Sequence, residues 1–156
     1  MDLGLEFERA TRDAELARLR RVFAVRAMLA QGESQREVAK RLGVTQPAIS
    51  YQVAAERTDG VRPSDLIAAA GPLLRQIAEQ RGFTDLAVFG SAARGDDRPD
   101  SDVDLLVQPP PGADLFDMLR LEEVLEAILG RGVDIVSYRG LDPRRDRDIL
   151  RDRALL

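Results

Sequence analysis

Asp102 and Asp104 stand either side of Val103 in the stretch GSAARGDDRPDSDVDLLV, residues 90–107. An extended strand turns alternate side chains to one face, so both carboxylates aim at one spot. Like charges held together repel, and folding alone has no use for that arrangement. A divalent cation removes the repulsion. Hard cations such as Mg²⁺ combine one or two carboxylates with substrate phosphates. Gly90 and Ser91 supply the complementary half, because they follow the apolar run 86–89 where a strand gives way to a short helix. A helix N-terminus offers unpaired N–H groups to an anion, and glycine lets backbone approach a phosphate closely. Asp134, inside a further apolar run at 133–136, suits a base for an attacking hydroxyl or a ligand for a second metal. Arg94 has two readings, a fork-shaped phosphate clamp or a solvated loop arginine. Asp96, Asp97 and Asp100, beside Pro99, read as solvated turn residues.

These side chains need strands to aim them and helices to back the strands. The pattern predicts strands at 84–89, 103–107 and 133–136, with a short helix after Ser91. A helix over 114–129 carries Met118, Leu121, Leu125 and Ile128 on one stripe and stops at Gly130. Ser64 is placed to cap an earlier helix bearing Leu66, Ala70, Leu73 and Ile77, which Gly71-Pro72 should kink or split. A last helix starts near Pro143. Its arginines alternate with Asp142, Asp146, Asp148 and Asp152, the pattern of a solvated, salt-bridged face.

Gly90-Ser91, the Asp102-x-Asp104 pair ten residues on, and a lone Asp134 on a later strand resemble the nucleotidyltransferase superfamily related to DNA polymerase beta, above all its minimal prokaryotic branch (MNT). Ala93-Arg94-Gly95, the run 101–107 and the tail Leu141-Asp142-Pro143 extend the match from about residue 64 onward. The resemblance implies an α+β domain, a small mixed sheet with packed helices. It implies transfer of a nucleotidyl group, AMP from ATP with Mg²⁺. Asp102 and Asp104 hold metal, Asp134 activates the acceptor hydroxyl or adds a ligand, and Gly90, Ser91 and Arg94 contact the nucleotide. Minimal members often pair with a HEPN protein as a toxin–antitoxin system, the antitoxin adenylylating a tyrosine of its partner. Antibiotic-modifying relatives add a large substrate domain for which this chain has no room, so a protein or nucleic-acid acceptor is expected.

The N-terminal third has another pattern. Leu16, Leu19, Phe23, Ala27 and Ala30 recur at helical spacing, and Gln31-Gly32 stops that helix. Ser34 with Glu37 forms a capping box for a helix reaching Leu42, Gly43 ends it, and Thr45 caps a second helix with Pro47 in its first turn. Val38, Ala39, Leu42, Val44 and Ile49 are expected to form a small core, with Val44 packing inward. The segment resembles the helix-turn-helix of phage-repressor-like regulators. That implies Gln35, Thr45, Gln46, Ser50 and Tyr51 at a DNA operator, with Arg36, Lys40 and Arg41 near phosphates. A plain helical hairpin for packing or dimerisation is the alternative.

The expected division is a helix-turn-helix domain over 1–62 and a minimal nucleotidyltransferase domain over 63–156, joined by a linker at 56–63 with Asp59-Gly60 and Pro63. Of the 156 residues, the first 62 carry eleven basic and nine acidic side chains, and the remainder twelve and eighteen, for a net −4. So modest a basic charge suggests that a homodimer would be needed for useful DNA affinity. The chain has no cysteine and no histidine. Disulfides, imidazole zinc sites, Ser-His-Asp chemistry and a HEPN ribonuclease motif are thereby excluded within it. No apolar run is long enough for a membrane span and the N-terminus is not a signal peptide, so a cytoplasmic protein is expected. The enzyme and the regulator are compatible in an autoregulating antitoxin. The competing account is a DNA-binding regulator whose second domain binds nucleotide or partner without turnover.

Overall fold

Val103, Leu105 and Val107 point one way from their strand and Asp104 and Leu106 the other. That alternation decides which side of the sheet carries the core and which carries the carboxylates. The computed structural model describes residues 1–55 and 57–156. Its elements run α1 (Leu3–Ala30), α2 (Gln35–Leu42), α3 (Gln46–Ala55), α4 (Pro63–Gln80), β1 (Thr84–Phe89), α5 (Gly90–Arg94), β2 (Val103–Gln108), α6 (Leu115–Leu129), β3 (Val133–Ser137), α7 (Arg147–Asp152) and β4 (Ala154–Leu155). The fold is α+β. The four-stranded sheet has the order β3-β2-β1-β4. β1 is antiparallel to β2 and β4, and β2 is parallel to β3.

One face of the sheet, with Leu86, Val88, Val103, Leu105, Val107 and Val133, packs on Leu66, Leu74 and Ile77 of α4 and Leu121, Leu125 and Ile128 of α6. Leu19, Phe23 and Ala27 of α1 enter the same core. Val25 of α1 instead joins Val38, Ala39 and Ile49 in a second, smaller core. The long helix thus belongs to both, and its apolar residues lie on two faces for that reason. Arg26 Nη1 donates to Ile128 O at 3.3 Å, and Thr58 Oγ1 donates to Leu129 O at 2.8 Å. Both satisfy carbonyls that the end of α6 leaves without helical partners.

The Ser34–Glu37 capping box is present, Gly43 takes the left-handed conformation (φ 69°), and Thr45 Oγ1 accepts from Ala48 N at 3.3 Å. Leu42 and Val44 depart from the expected core. Each is 46% exposed, because the left-handed turn carries the chain past the Val38–Ile49 contact. Ser64 is not the cap of α4. The helix begins one residue earlier at Pro63, and Arg62, its N-cap, makes no side-chain cap bond. The helix runs unbroken through Pro72, while Gly71 lies against Leu156. The last helix begins at Arg147, four residues later than expected, since Asp142 Oδ1 accepts from the N–H groups of Arg144 and Arg145 and holds a turn there. Its surface ion pairs are as expected, Arg151 meeting Asp148 and Asp152. The linker expectation starts at Glu56, outside the described residues. Among the described residues no helix is long and apolar enough to cross a membrane.

Candidate active site

β2 and β3 place Asp104 directly beside Asp134 in the parallel register, on neighbouring strands about 4.8 Å apart. Both residues occupy the face away from the helical core, by the parity that buries Val103, Leu105 and Val133. Asp102 has the same parity, two residues ahead on the entry to β2. Phe89, the last residue of β1, pairs with Asp104, which brings Gly90 over that carboxylate.

Asp104 is half-buried. Burial first, then the charges of Asp134 and Asp102, push its carboxyl above the ordinary range, and Arg94 pulls it back. The three carboxylates and Arg94 therefore share one electrostatic site. Arg94 Nε also donates to Asp96 Oδ2 at 3.2 Å, with nearly half of its side chain exposed. It can reach an anion without first leaving a buried pair.

Two glycines make room for these carboxylates. Gly90 has φ 69°, and a Cβ there would lie 2.7 Å from Asp104 Oδ2. At Gly132 a Cβ would lie 2.7 Å from Asp102 Oδ1. Among the described residues no group of three acidic side chains forms a ready metal cage. None is required of a cation that takes two carboxylates and completes its shell with phosphate oxygens. The residues fit such an ion: three like charges converge, opposed at Asp104 only by Arg94, beside space that only glycine leaves open. When bound, a divalent cation would neutralise phosphate charge and draw the nucleotide against Asp102 and Asp104. Gly90→Ala is expected to leave the protein folded, at about 1–2 kcal/mol for the left-handed backbone. Transfer should fall about a hundredfold because Asp104 must move. Thermal melting and a transfer assay check the two halves.

Some side chains that hold this site carry no motif. Asp97, expected in solvent, has a fully buried side chain. Its Oδ2 accepts from Ser64 N and its Oδ1 from Arg62 Nη2, both at 2.7 Å. It supplies from a remote loop the cap that α4 lacks locally. Arg131 donates from Nη1 to Ser101 O and from Nη2 to Val61 O, both at 2.9 Å, and from Nη2 to Thr58 O. The loop between Gly95 and Asp102 is thus tied down near both ends. Glu122 and Glu126 of α6 accept from Ile135 N at 3.1 Å and Val133 N at 3.0 Å, pinning edge strand β3 on both sides of Asp134. Two glutamates one helical turn apart repel, the one sequence signal that could have pointed to this role.

The five residues expected at DNA lie together on α2, α3 and the turn between them. Thr45, Gln46, Ser50 and Tyr51 are exposed and Gln35 is half-buried, and Gln46 Nε2 donates to Gln35 Oε1 at 2.7 Å. Arg41 is held by Glu33 at 2.6 Å. A cleft of about 640 Å³ lies between the first half of α1 and the start of α4, and none of the three carboxylates lines it.

A mixed sheet with two adjacent in-register carboxylates, a third ahead of them and a glycine-opened strand end is an arrangement suited to a divalent cation and a phosphate-bearing substrate. Residues 73–156 match the nucleotidyltransferase domain family, and the chain belongs to it. A protein named protein adenylyltransferase MntA, from Thermococcus cleftensis, is 38% identical over 78 residues, half of this chain and 79% of that one. A Methanocaldococcus jannaschii protein, provisionally named a protein adenylyltransferase, is 37% identical over 76 residues, covering 49% and 76%. A solved structure described provisionally as a minimal nucleotidyltransferase superposes with TM-score 0.55 at 42% identity, covering 60% of this chain and 95% of the other.

Proposed function

We propose that the protein transfers AMP from ATP, with Mg²⁺, to a hydroxyl of a partner protein, and that a HEPN toxin is the partner to test first. The observation that carries this reading is the Asp104–Asp134 pair in register beside Gly90, in a chain whose relatives are named protein adenylyltransferases. Gly90 and Ser91 receive the triphosphate, and Arg94 faces its charge. Asp102 and Asp104 hold Mg²⁺. Asp134 takes the proton of the acceptor hydroxyl as its oxygen bonds to the α-phosphorus; the α–β bridging bond breaks and pyrophosphate leaves. Positioning and charge neutralisation supply most of the acceleration.

Incubated with Mg²⁺, ATP and a helical protein bearing an Arg-x4-His motif, the protein should add the mass of AMP to that partner. Asp134→Asn should slow this step about 10²–10⁴-fold and leave ATP affinity unchanged. Lost affinity with an unchanged rate of the bound complex would make Asp134 a metal ligand only.

A second reading, compatible with the first, is operator binding by residues 1–62, favoured by the capping box, the left-handed Gly43 and the hydrogen-bonded Gln35–Gln46 pair. The full antitoxin would then regulate its own gene. Gln46→Ala should cost roughly 1–3 kcal/mol at the specific site and little on other sequences. A footprint of the upstream region with the full chain tests it, and equal protection by parent and variant would remove Gln46 from base reading.

A further inference from the structure

We infer that two copies of this chain pair through the first half of α1, antiparallel, with the N-terminal end of each helix at the mouth of an apolar groove on the other. Residues 1–15 are exposed along their whole length. Along this half of α1, Leu3, Phe7, Ala10, Ala14 and Ala17 follow at intervals of four and three, the spacing of a coiled-coil seam, with Phe7 also at the border of the cleft between α1 and α4. Leu3 is 77% and Phe7 74% exposed, a large apolar surface for a monomer to leave in water.

Farther along the same face of α1, the seam runs into a groove of about 570 Å³ between α1 and the α2–α3 pair. Val25, Met28, Leu42 and Val44 line it, with Arg18 and Arg21 at its rim. This groove is where Leu42 and Val44 remain half exposed.

Size and charge select a second copy as the occupant. The bulky end of the seam (Leu3, Phe7) and its small end (Ala14, Ala17) complement each other only when two helices run in opposite directions. Aligning Phe7 with Ala17 of the other copy sets Ala10 against Ala14 and Leu3 against Arg21, at the groove mouth. Flanking the seam, Glu6 then approaches Arg20 of the other copy. Among the described residues neither is in an ion pair within its own chain. Asp13 of each copy comes near the two-fold axis and opposes the pairing, so Asp13→Asn should tighten it.

The axis crosses near residue 12, thirteen residues before Val25, where α2–α3 attaches. At 1.5 Å per residue the two attachment points stand about 39 Å apart. Operator half-sites one turn of DNA apart are spaced about 34–36 Å. This last agreement rests on the operator reading; the pairing itself does not.

Sedimentation equilibrium of the full chain without DNA tests the pairing. The parent should be a dimer at about 50 µM. Ala14→Arg, at an exposed helical position, should raise the dissociation constant at least about tenfold with an unchanged helical circular-dichroism signal. Glu6→Arg and Arg20→Glu should each weaken the dimer, and the double variant should recover to within about threefold of the parent. A parent that is monomeric at that concentration, an Ala14→Arg dimer as tight as the parent, or a double variant no tighter than the singles would overturn the inference. Loss of operator protection with the dimer intact would count against the operator reading alone.

Discussion

Asp102→Asn and Asp104→Asn should each abolish nucleotidyl transfer while leaving the fold intact. Asparagine keeps the volume of the side chain and one oxygen, so packing against Gly90 and Gly132 survives. What goes is the negative charge that, in the proposed mechanism, draws a cation and its triphosphate together. Removing one such electrostatic contact from an active site lowers turnover by about 10²–10³-fold, and the two-carboxylate arrangement leaves little to compensate. Stability should move the other way. Burial and the charges of Asp134 and Asp102 hold the Asp104 carboxyl above its ordinary range, so ionising it opposes folding in the absence of a cation. Asp104→Asn relieves that opposition and should raise the melting temperature of the metal-free protein. Label transferred from α-phosphate-labelled ATP, with melting curves taken in chelator, reads both effects. A double variant that still transfers label at the parent rate would remove the pair from the chemistry.

Asp97→Ala is expected to have the largest effect on stability of any single change in the catalytic loop. Its side chain is fully buried and accepts from Ser64 N and Arg62 Nη2. Truncation leaves the first turn of α4 without a cap and Arg62 without its buried partner. Orphaning buried partners in this way costs about 2–4 kcal/mol, toward the lower end because Arg62 is itself 44% exposed. Burial raises the Asp97 carboxyl, but the hydrogen bonds from Ser64 and Arg62 outweigh it and hold it below the usual range. A depressed carboxyl stabilises the fold above its unfolded value, about pH 3.9, and that contribution is lost as pH falls toward the folded value. Urea unfolding from pH 7 to pH 3 should show the parent losing this stability below about pH 4, and Asp97→Ala following a flatter curve there. Transfer should fall as well, since residues 97–101 lead directly into Asp102.

Much of this site was legible in the chain because its parts are local. Asp102, Asp104 and Gly90 fall in one stretch, period-two alternation puts the carboxylates on one face, and the run around Asp134 reads as a strand on its own. Helix boundaries set by short-range caps, such as Ser34–Glu37 and Gly130, were legible for the same reason. What escaped depends on contacts distant in sequence. Asp97 looks like any turn aspartate until α4 arrives with an uncapped first turn, and Arg131 serves carbonyls about thirty and seventy residues away. Ser64 looked like a cap because the remote cap was invisible. Val44 looked like core because the groove beside α1 appears only when three helices meet. The two-residue strand β4 is too short to carry a period, and its pairing with Ala87 and Val88 is tertiary. Gly71-Pro72 was expected to kink or split α4, and the helix is not split there; Gly71 packs against Leu156.

Residues 95–101 and 57–62 deserve to be considered as one mechanical unit. Arg62 bridges them through Gly95 O and Asp97, and Arg131 bridges them through Ser101 O and Val61 O. The segment that joins the N-terminal helices to α4 is therefore in direct contact with the loop between α5 and the carboxylate pair. Removing residues 1–62 would strip Leu19 and Phe23 from the main core as well as Arg62 from Asp97. Point substitutions on the full chain are thus the cleaner probes of either activity.

Calorimetric titration of ATP into the protein, with Mg²⁺ and then with chelator, tests the proposed nucleotide site without needing any acceptor. Binding is predicted with Mg²⁺, at least about tenfold weaker in chelator, and similarly weakened by Asp104→Asn in the presence of Mg²⁺. ATP bound equally well by parent and Asp104→Asn, with or without Mg²⁺, or not bound at all, would contradict the assignment of this sheet edge as the place where nucleotide and cation meet.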